Sequence, residues 1–156
     1  MNTSFKRALL TSLTLLPLAS TAEEVEHHAV WLASGFATYH FQTDQNLRNE
    51  NRGIGLEYRY SAHSSMALGR FNNSDWQTTR YLSWQYQPFT WGGAKFGAAI
   101  GLFDGYPKVN NSGWCVAAIP ALSFEYQRLG ANLIAVPTYR DKLHGAVSLQ
   151  VKFKLL

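Results

Sequence analysis

The feature that most constrains this chain is a two-residue alternation of apolar and polar side chains that recurs in eight segments, with no sustained helical period between them. The segments cover roughly 30–41, 53–60, 65–72, 78–88, 94–103, 114–126, 130–138 and 143–154. Most approach the ~9–11 residues that a tilted strand needs to cross a bilayer. The links after the second, fourth and sixth segments are tight: Ser61-Ala62-His63-Ser64, Phe89-Thr90-Trp91-Gly92-Gly93 and Gln127-Arg128-Leu129. Those after the first, third and fifth are longer or more polar (Gln42 to Arg52, Asn72 to Gln77, Asp104 to Gly113), and the last, Tyr139 to Leu143, is short and charged. Tight turns at one end and longer loops at the other predict an all-β fold, an eight-stranded antiparallel up-and-down transmembrane β-barrel with both termini at the short-turn end.

Parity sorts the side chains into two faces. Ile54, Leu56, Tyr58 and Tyr60 oppose Gly53, Gly55, Glu57 and Arg59; Leu82, Trp84 and Tyr86 oppose Tyr81, Ser83, Gln85 and Gln87. Val116, Ala118, Leu122, Phe124 and Tyr126 oppose Cys115, Ala117, Ala121, Ser123 and Glu125, and Val147, Leu149, Val151 and Phe153 oppose Ser148, Gln150, Lys152 and Lys154. A water-soluble lipocalin-like barrel would show the same alternation turned inside out. Two features favour an apolar exterior. The aromatics of the apolar face gather near the short turns, as in an interfacial girdle. The polar face mixes small residues with charges of both signs, which can pair in a narrow lumen. Eight strands leave no room for a water channel, so a pore is not expected.

The N-terminus supplies the address. Lys6 and Arg7 precede an apolar run from Ala8 to Leu18, and Ser20-Thr21-Ala22 offers the small residues of a cleavage site, so residues 1–22 read as a signal peptide and 23–156 as one barrel domain. Removing the signal takes the basic count from 14 to 12 against 10 acidic residues, and the net charge from +4 to +2. With no basic patch interleaved with aromatics, nucleic-acid binding has no support. Cys115 is the single cysteine, which excludes an internal disulfide and reads as a small strand residue. The expected location is a bacterial cell outer membrane.

The long-loop end gathers His40, Asn73, Ser74, Asp75 and Tyr106. A histidine within reach of a serine is the minimum for acyl transfer: the imidazole takes the hydroxyl proton, and an amide or carboxylate orients it. His27, His28, His63 and His144 lack ligand spacing, so no metal site is expected. Gly53-Ile54-Gly55 is not followed by a helical pattern and is no dinucleotide loop. Pro120 and Pro137 fall on neighbouring strands, and neither can donate to a ladder. They predict a local opening between strands 6 and 7, read either as a lateral route for lipid or as a rim irregularity.

Several of these parts occur in the order found in the PagP-type lipid A palmitoyltransferases. They are Tyr39-His40, Asn49-Glu50 before Gly53-Ile54-Gly55-Leu56, Phe71-Asn72-Asn73-Ser74-Asp75-Trp76, Pro120 with Ser123 and Tyr126, and Val136-Pro137. From Tyr39 onwards the chain resembles that family. The resemblance implies transfer of a palmitoyl-like chain from a phospholipid donor to a lipid A acceptor by a monomeric outer-membrane acyltransferase needing no cofactor. Its catalytic His, Asp and Ser fall on His40, Asn73 and Ser74. Asn73 stands where the family has Asp, and asparagine carries no charge; either Asp75 substitutes, or no carboxylate is needed, or the chain is inactive. The family's N-terminal amphipathic helix has little counterpart in Glu23 to Ala29. The donor chain would lie beside Gly97, Ala99, Gly101 and Ala117, with Tyr81 or Ser83 setting its length. The alternatives are a non-enzymatic OmpX-like barrel and a lipid A deacylase, for which His63-Ser64-Ser65 lies at the wrong end.

Overall fold

The computed structural model describes residues 28–156. The signal-peptide reading of residues 1–22, and residues 23–27 of the segment after it, lie outside the described residues. Eight strands follow in chain order: β1 (Ala29–His40), β2 (Glu50–Arg59), β3 (Ser64–Asn72), β4 (Thr78–Trp91), β5 (Ala94–Phe103), β6 (Cys115–Tyr126), β7 (Leu129–Val136) and β8 (Ala146–Lys154). Each pairs antiparallel with its sequence neighbour, and β8 returns to β1 to close the barrel. The up-and-down order expected from the alternation is the order observed. Among the described residues no helix is long and apolar enough to cross a membrane.

Where strand limits differ from the sequence reading, a local irregularity accounts for it. β4 continues past Pro88 to Trp91. A register shift between Tyr86 and Phe89 absorbs the proline, and pairing resumes from Phe89↔Phe96 to Trp91↔Ala94. Gly92 and Gly93 then close the hairpin with φ of 56° and 83°, the left-handed pair that a two-residue type I′ turn demands. In β1 a bulge between Ser34 and Phe36 centres on Gly35, where any Cβ would collide with the Asn51 carbonyl oxygen. β8 starts at Ala146, not 143, so Pro137 to Gly145 forms a longer rim loop, held by an isolated Tyr139↔Leu143 bridge.

The two faces sort as parity requires. Asn51, Glu57, Arg59, Ser83, Gln85, Gln87, Ser123, Asn132, Gln150 and Lys152 are buried inside the barrel. Ile54, Leu56, Leu68, Leu82, Ile100, Val116, Leu133, Leu149 and Val151 are exposed outside it. This inverts the pattern of a water-soluble barrel. Exposed aromatics form two groups. One lies at the short-turn end (Tyr58, Trp84, Tyr86, Phe89, Trp91, Phe124, Tyr126), the other at the long-loop end (Tyr39, Phe41, Trp76, Trp114, Tyr139). Parity within strands had revealed only the first, because most of the second lies in loops or at strand ends.

The short-turn half of the lumen is filled. Lys152 Nζ donates to both Glu57 carboxylate oxygens at 3.0 and 2.8 Å and lies 2.8 Å from Glu125. The Arg59 guanidinium forks onto Glu125 and lies 3.4 Å from Glu57; Lys95 stands 3.9 Å from Glu125. Above them a relay of amides and hydroxyls spans the barrel: Gln87 Nε2 to Ser123 Oγ (2.9 Å), Ser123 to Asn132 Oδ1 (2.8 Å), Asn132 Nδ2 to Gln150 Oε1 (3.1 Å) and Gln150 Nε2 to the Ser34 carbonyl (2.8 Å). These bonds satisfy most of the buried polar groups, and the main open space of the lumen lies towards the long loops.

Candidate active site at the long-loop rim

That space is a cavity of about 220 Å³. A cavity of ~150 Å³ holds a benzene ring, so this one has room for roughly nine carbons of a chain. Its wall is largely apolar or aromatic: Ala33, Phe36, Ala67, Phe71, Tyr81, Ala99, Phe103 and Ala117. The rings form a continuous chain, with centroids 4.8 Å apart for Phe36 and Phe71, 6.0 Å for Phe71 and Tyr81, and 6.3 Å for Tyr81 and Phe103. Tyr81 reaches across the lumen because Gly55 and Gly69 face it, and a Cβ at Gly69 would lie 2.8 Å from its hydroxyl. Ala99 and Ala117 line the cavity as expected, whereas Gly97 and Gly101 do not. A Cβ on Gly101 would lie 2.6 Å from the Ser83 Cα, so its missing side chain permits close strand approach instead of open space.

The cavity reaches the outer, apolar face of the sheet through one wall. The β6–β7 ladder runs from Tyr126↔Leu129 only as far as Ala121↔Ile134, six pairs, whereas β5–β6 has ten. Extending the register would set Pro120 against Ala135 and Ala118 against Pro137. Both prolines therefore sit in the unpaired stretch, where neither offers an N–H. Val116, Ala118, Ile119, Val136 and Pro137 line the cavity from the edges of this slit.

At the mouth, His40 ends β1 with its side chain buried. Its Nε2 lies 2.8 Å from Ser74 Oγ and its Nδ1 lies 2.9 Å from Asn49 Oδ1. An amide oxygen can only accept, so it holds the proton on Nδ1 and turns the Nε2 lone pair towards the serine hydroxyl. This is the arrangement by which an imidazole removes a hydroxyl proton and returns it. Ser74 is fixed by a clasp between loops. Its carbonyl accepts from Arg48 N at 3.0 Å, the Arg48 guanidinium lies 4.3 Å from the Trp76 ring, and Trp76 Nε1 donates to the Asn46 carbonyl at 2.9 Å.

Of the three site residues expected from sequence, the structure brings His40 and Ser74 into contact and places Asn73 elsewhere. Asn73 is fully buried. Its Nδ2 donates to Thr79 Oγ1 (3.0 Å) and the Gly105 carbonyl (2.6 Å), and its Oδ1 accepts from the amides of Asp75 and Gln77 at 3.0 Å each. It shapes the turn that presents Ser74 and does not touch the imidazole. The partner of the histidine is Asn49, which sequence spacing could not single out. Asp75 and Tyr106 also line the cavity near its mouth. Burial pushes the Tyr106 phenol up to about 12, so it remains a protonated donor at neutral pH. His63 bonds the Gln87 carbonyl at the short-turn end, away from this site. Among the described residues no cluster suited to a metal occurs. The chain matches no protein-family profile and no curated protein.

Proposed function

We propose that this chain is an outer-membrane acyltransferase that moves a long acyl chain from a phospholipid to lipid A. The membrane reading rests on the apolar exterior between two aromatic groups. A 12-residue strand such as β6, tilted by ~40° at ~3.3 Å per residue, rises roughly 30 Å, enough to cross an apolar band of ~25 Å. The catalytic reading rests on one observation above the others: a histidine–serine pair 2.8 Å apart opens onto a largely apolar cavity of about 220 Å³.

In this scheme the donor chain lies in the cavity with its ester carbonyl at the mouth. His40 takes the Ser74 proton, Ser74 Oγ bonds to the acyl carbon, and the ester C–O bond breaks. The proton passes from His40 to the departing lysophospholipid hydroxyl. In the second half a hydroxyl of lipid A gives its proton to His40 and takes the acyl group, and Ser74 regains its hydrogen. No cofactor is required. Asn49 keeps the imidazole in the tautomer that both halves use.

Mass spectrometry of lipid A from cells with and without the chain tests this. A species heavier by one acyl chain is expected, lost in His40→Ala and Ser74→Ala while heat-modifiable gel mobility persists. A lighter species would indicate a deacylase, and no change a barrel without catalysis.

A further inference from the structure

The outer lip of the β6–β7 slit carries cations that no carboxylate pairs among the described residues, the Arg140 guanidinium lying 5.6 Å from the Tyr139 ring. The loop after β7, Pro137 to Gly145, rises from one edge of the slit, and the loop after β5, Asp104 to Gly113, descends to the other. On the first loop Arg140 and Lys142 are exposed and make no ion pair among the described residues; on the second the same holds for Lys108. Lys142 and His144 line the cavity mouth itself. No carboxylate among the described residues forms an ion pair with them, although Asp141 lies between two of them in the chain. Asp141 makes no ion pair and does not line the cavity, Asp104 is bound by Arg80 at 2.6 Å, and Asp75 belongs to the β3–β4 turn that carries Ser74.

Three independent features therefore coincide: an apolar cavity, a gap in the wall leading into it, and unpaired cations above that gap. An amphiphile whose chain enters sideways through the slit leaves its polar head at the rim. A head bearing a negative phosphodiester meets Lys142 and Arg140 there, and in a region of reduced dielectric such charge-assisted bonds are strong. We propose that the Pro137–Gly145 loop is a phosphate clamp, in which Lys142 and Arg140 bind the phosphodiester of a phospholipid whose acyl chain occupies the cavity. This deepens the acyltransferase reading by assigning donor recognition to named residues, but the clamp is a binding property that holds whether or not transfer occurs.

The test is native mass spectrometry of the full chain released from detergent micelles, loaded with phosphatidylglycerol or with diacylglycerol of the same acyl chains. Wild type is expected to retain phosphatidylglycerol at least fivefold over diacylglycerol. The double variant Arg140→Gln/Lys142→Gln is expected to lose that preference while still retaining diacylglycerol, and Lys142→Arg to keep it. Ala118→Trp, which fills the slit, is expected to abolish retention of both lipids. Heat-modifiable mobility on gels verifies that each variant is folded. Equal retention of the two lipids by wild type, or an unchanged preference in the double variant, overturns the clamp. A clamp that holds in a chain producing no heavier lipid A would overturn the transferase reading only, and an active transferase with no phosphate preference would overturn the clamp only.

Discussion

Two asparagines one residue type apart from an acid decide how the rim is read. Asn73 stands where the resembling family has Asp, which made it a candidate to orient His40 or stabilise developing charge; its four polar contacts fold the β3–β4 turn. Asn49 holds Nδ1 of His40 at 2.9 Å. The two sites predict different failures. On the proposed acyltransferase reading, Asn49→Ala should lower transfer by about tenfold, the ~1.4 kcal/mol of one orienting hydrogen bond, with thermal stability nearly unchanged. Asn73→Ala should lower transfer and stability together, because it strands the Asp75 and Gln77 amides and the Gly105 carbonyl. Transfer assays beside thermal melts separate the cases, and equal melting losses in both variants would remove the distinction. The contact between His40 and Ser74 was legible because both stand where the resembling family has its histidine and serine, residue types that can exchange a proton. Asn49 was not, because amide side chains are common in loops and only folding reveals which one faces an imidazole. Tyr81 was legible as a lumen residue from parity alone, and it crosses the cavity over Gly55 and Gly69. Tyr81→Ala should lengthen the accepted acyl chain in two-carbon steps, read directly in the mass added to lipid A; an unchanged length would assign the limit to another wall residue.

At the scale of elements, the sequence announced the strands by period and the slit by two prolines, since a missing N–H is a local property visible without coordinates. What period could not announce was the continuation of β4 past Pro88, where a bulge re-registers the pair, or the retreat of β8 to Ala146, where the rim loop takes residues that alternate without joining the ladders to β1 and β7. Pairing is a property of two strands, and one strand's pattern does not contain it. The unpaired stretch of β6 carries its own prediction. Amides of residues 115–119 that face β7 should exchange hydrogen faster than those facing β5, whose ladder is continuous to Phe103↔Cys115. Hydrogen exchange in detergent measures this, and uniform protection along β6 would mean that the slit is closed. The β5–β6 loop responds to pH through Tyr106. Its phenol is held protonated to about 12 in the fold against about 10 when unfolded. The unfolded state thus loses this proton first, and the contribution, complete below about 10, is lost as pH rises through 12.

At the scale of the molecule, the barrel is divided into a polar plug and an apolar chamber, and the plug makes the chamber blind. Lys152 and Glu57 are both almost wholly buried, and together with Arg59, Glu125 and Lys95 they occupy the short-turn half of the lumen. Mixed-sign charges on one face were visible in the sequence, but their closure into a network depends on the shear that brings β2, β6 and β8 to one level. A buried ion pair adds little net stability over an apolar pair of the same shape, because desolvation opposes the attraction. Removing one partner is different, since the other charge is left buried and uncompensated, at a cost of about 3–5 kcal/mol. Lys152→Met should therefore destabilise the barrel by that amount, because it strips both Glu57 oxygens of their closest donor. Glu57→Leu combined with Lys152→Met should recover much of the loss, although Arg59 and Glu125 remain. Urea unfolding from lipid vesicles measures both. Additive losses in the double variant would mean that the two charges do not act as a pair. The same variants address the chamber's floor. If the plug seals the lumen, Lys152→Met should admit small ions across planar bilayers while the wild-type chain stays closed, and acyl transfer at the far rim should survive in whatever fraction remains folded.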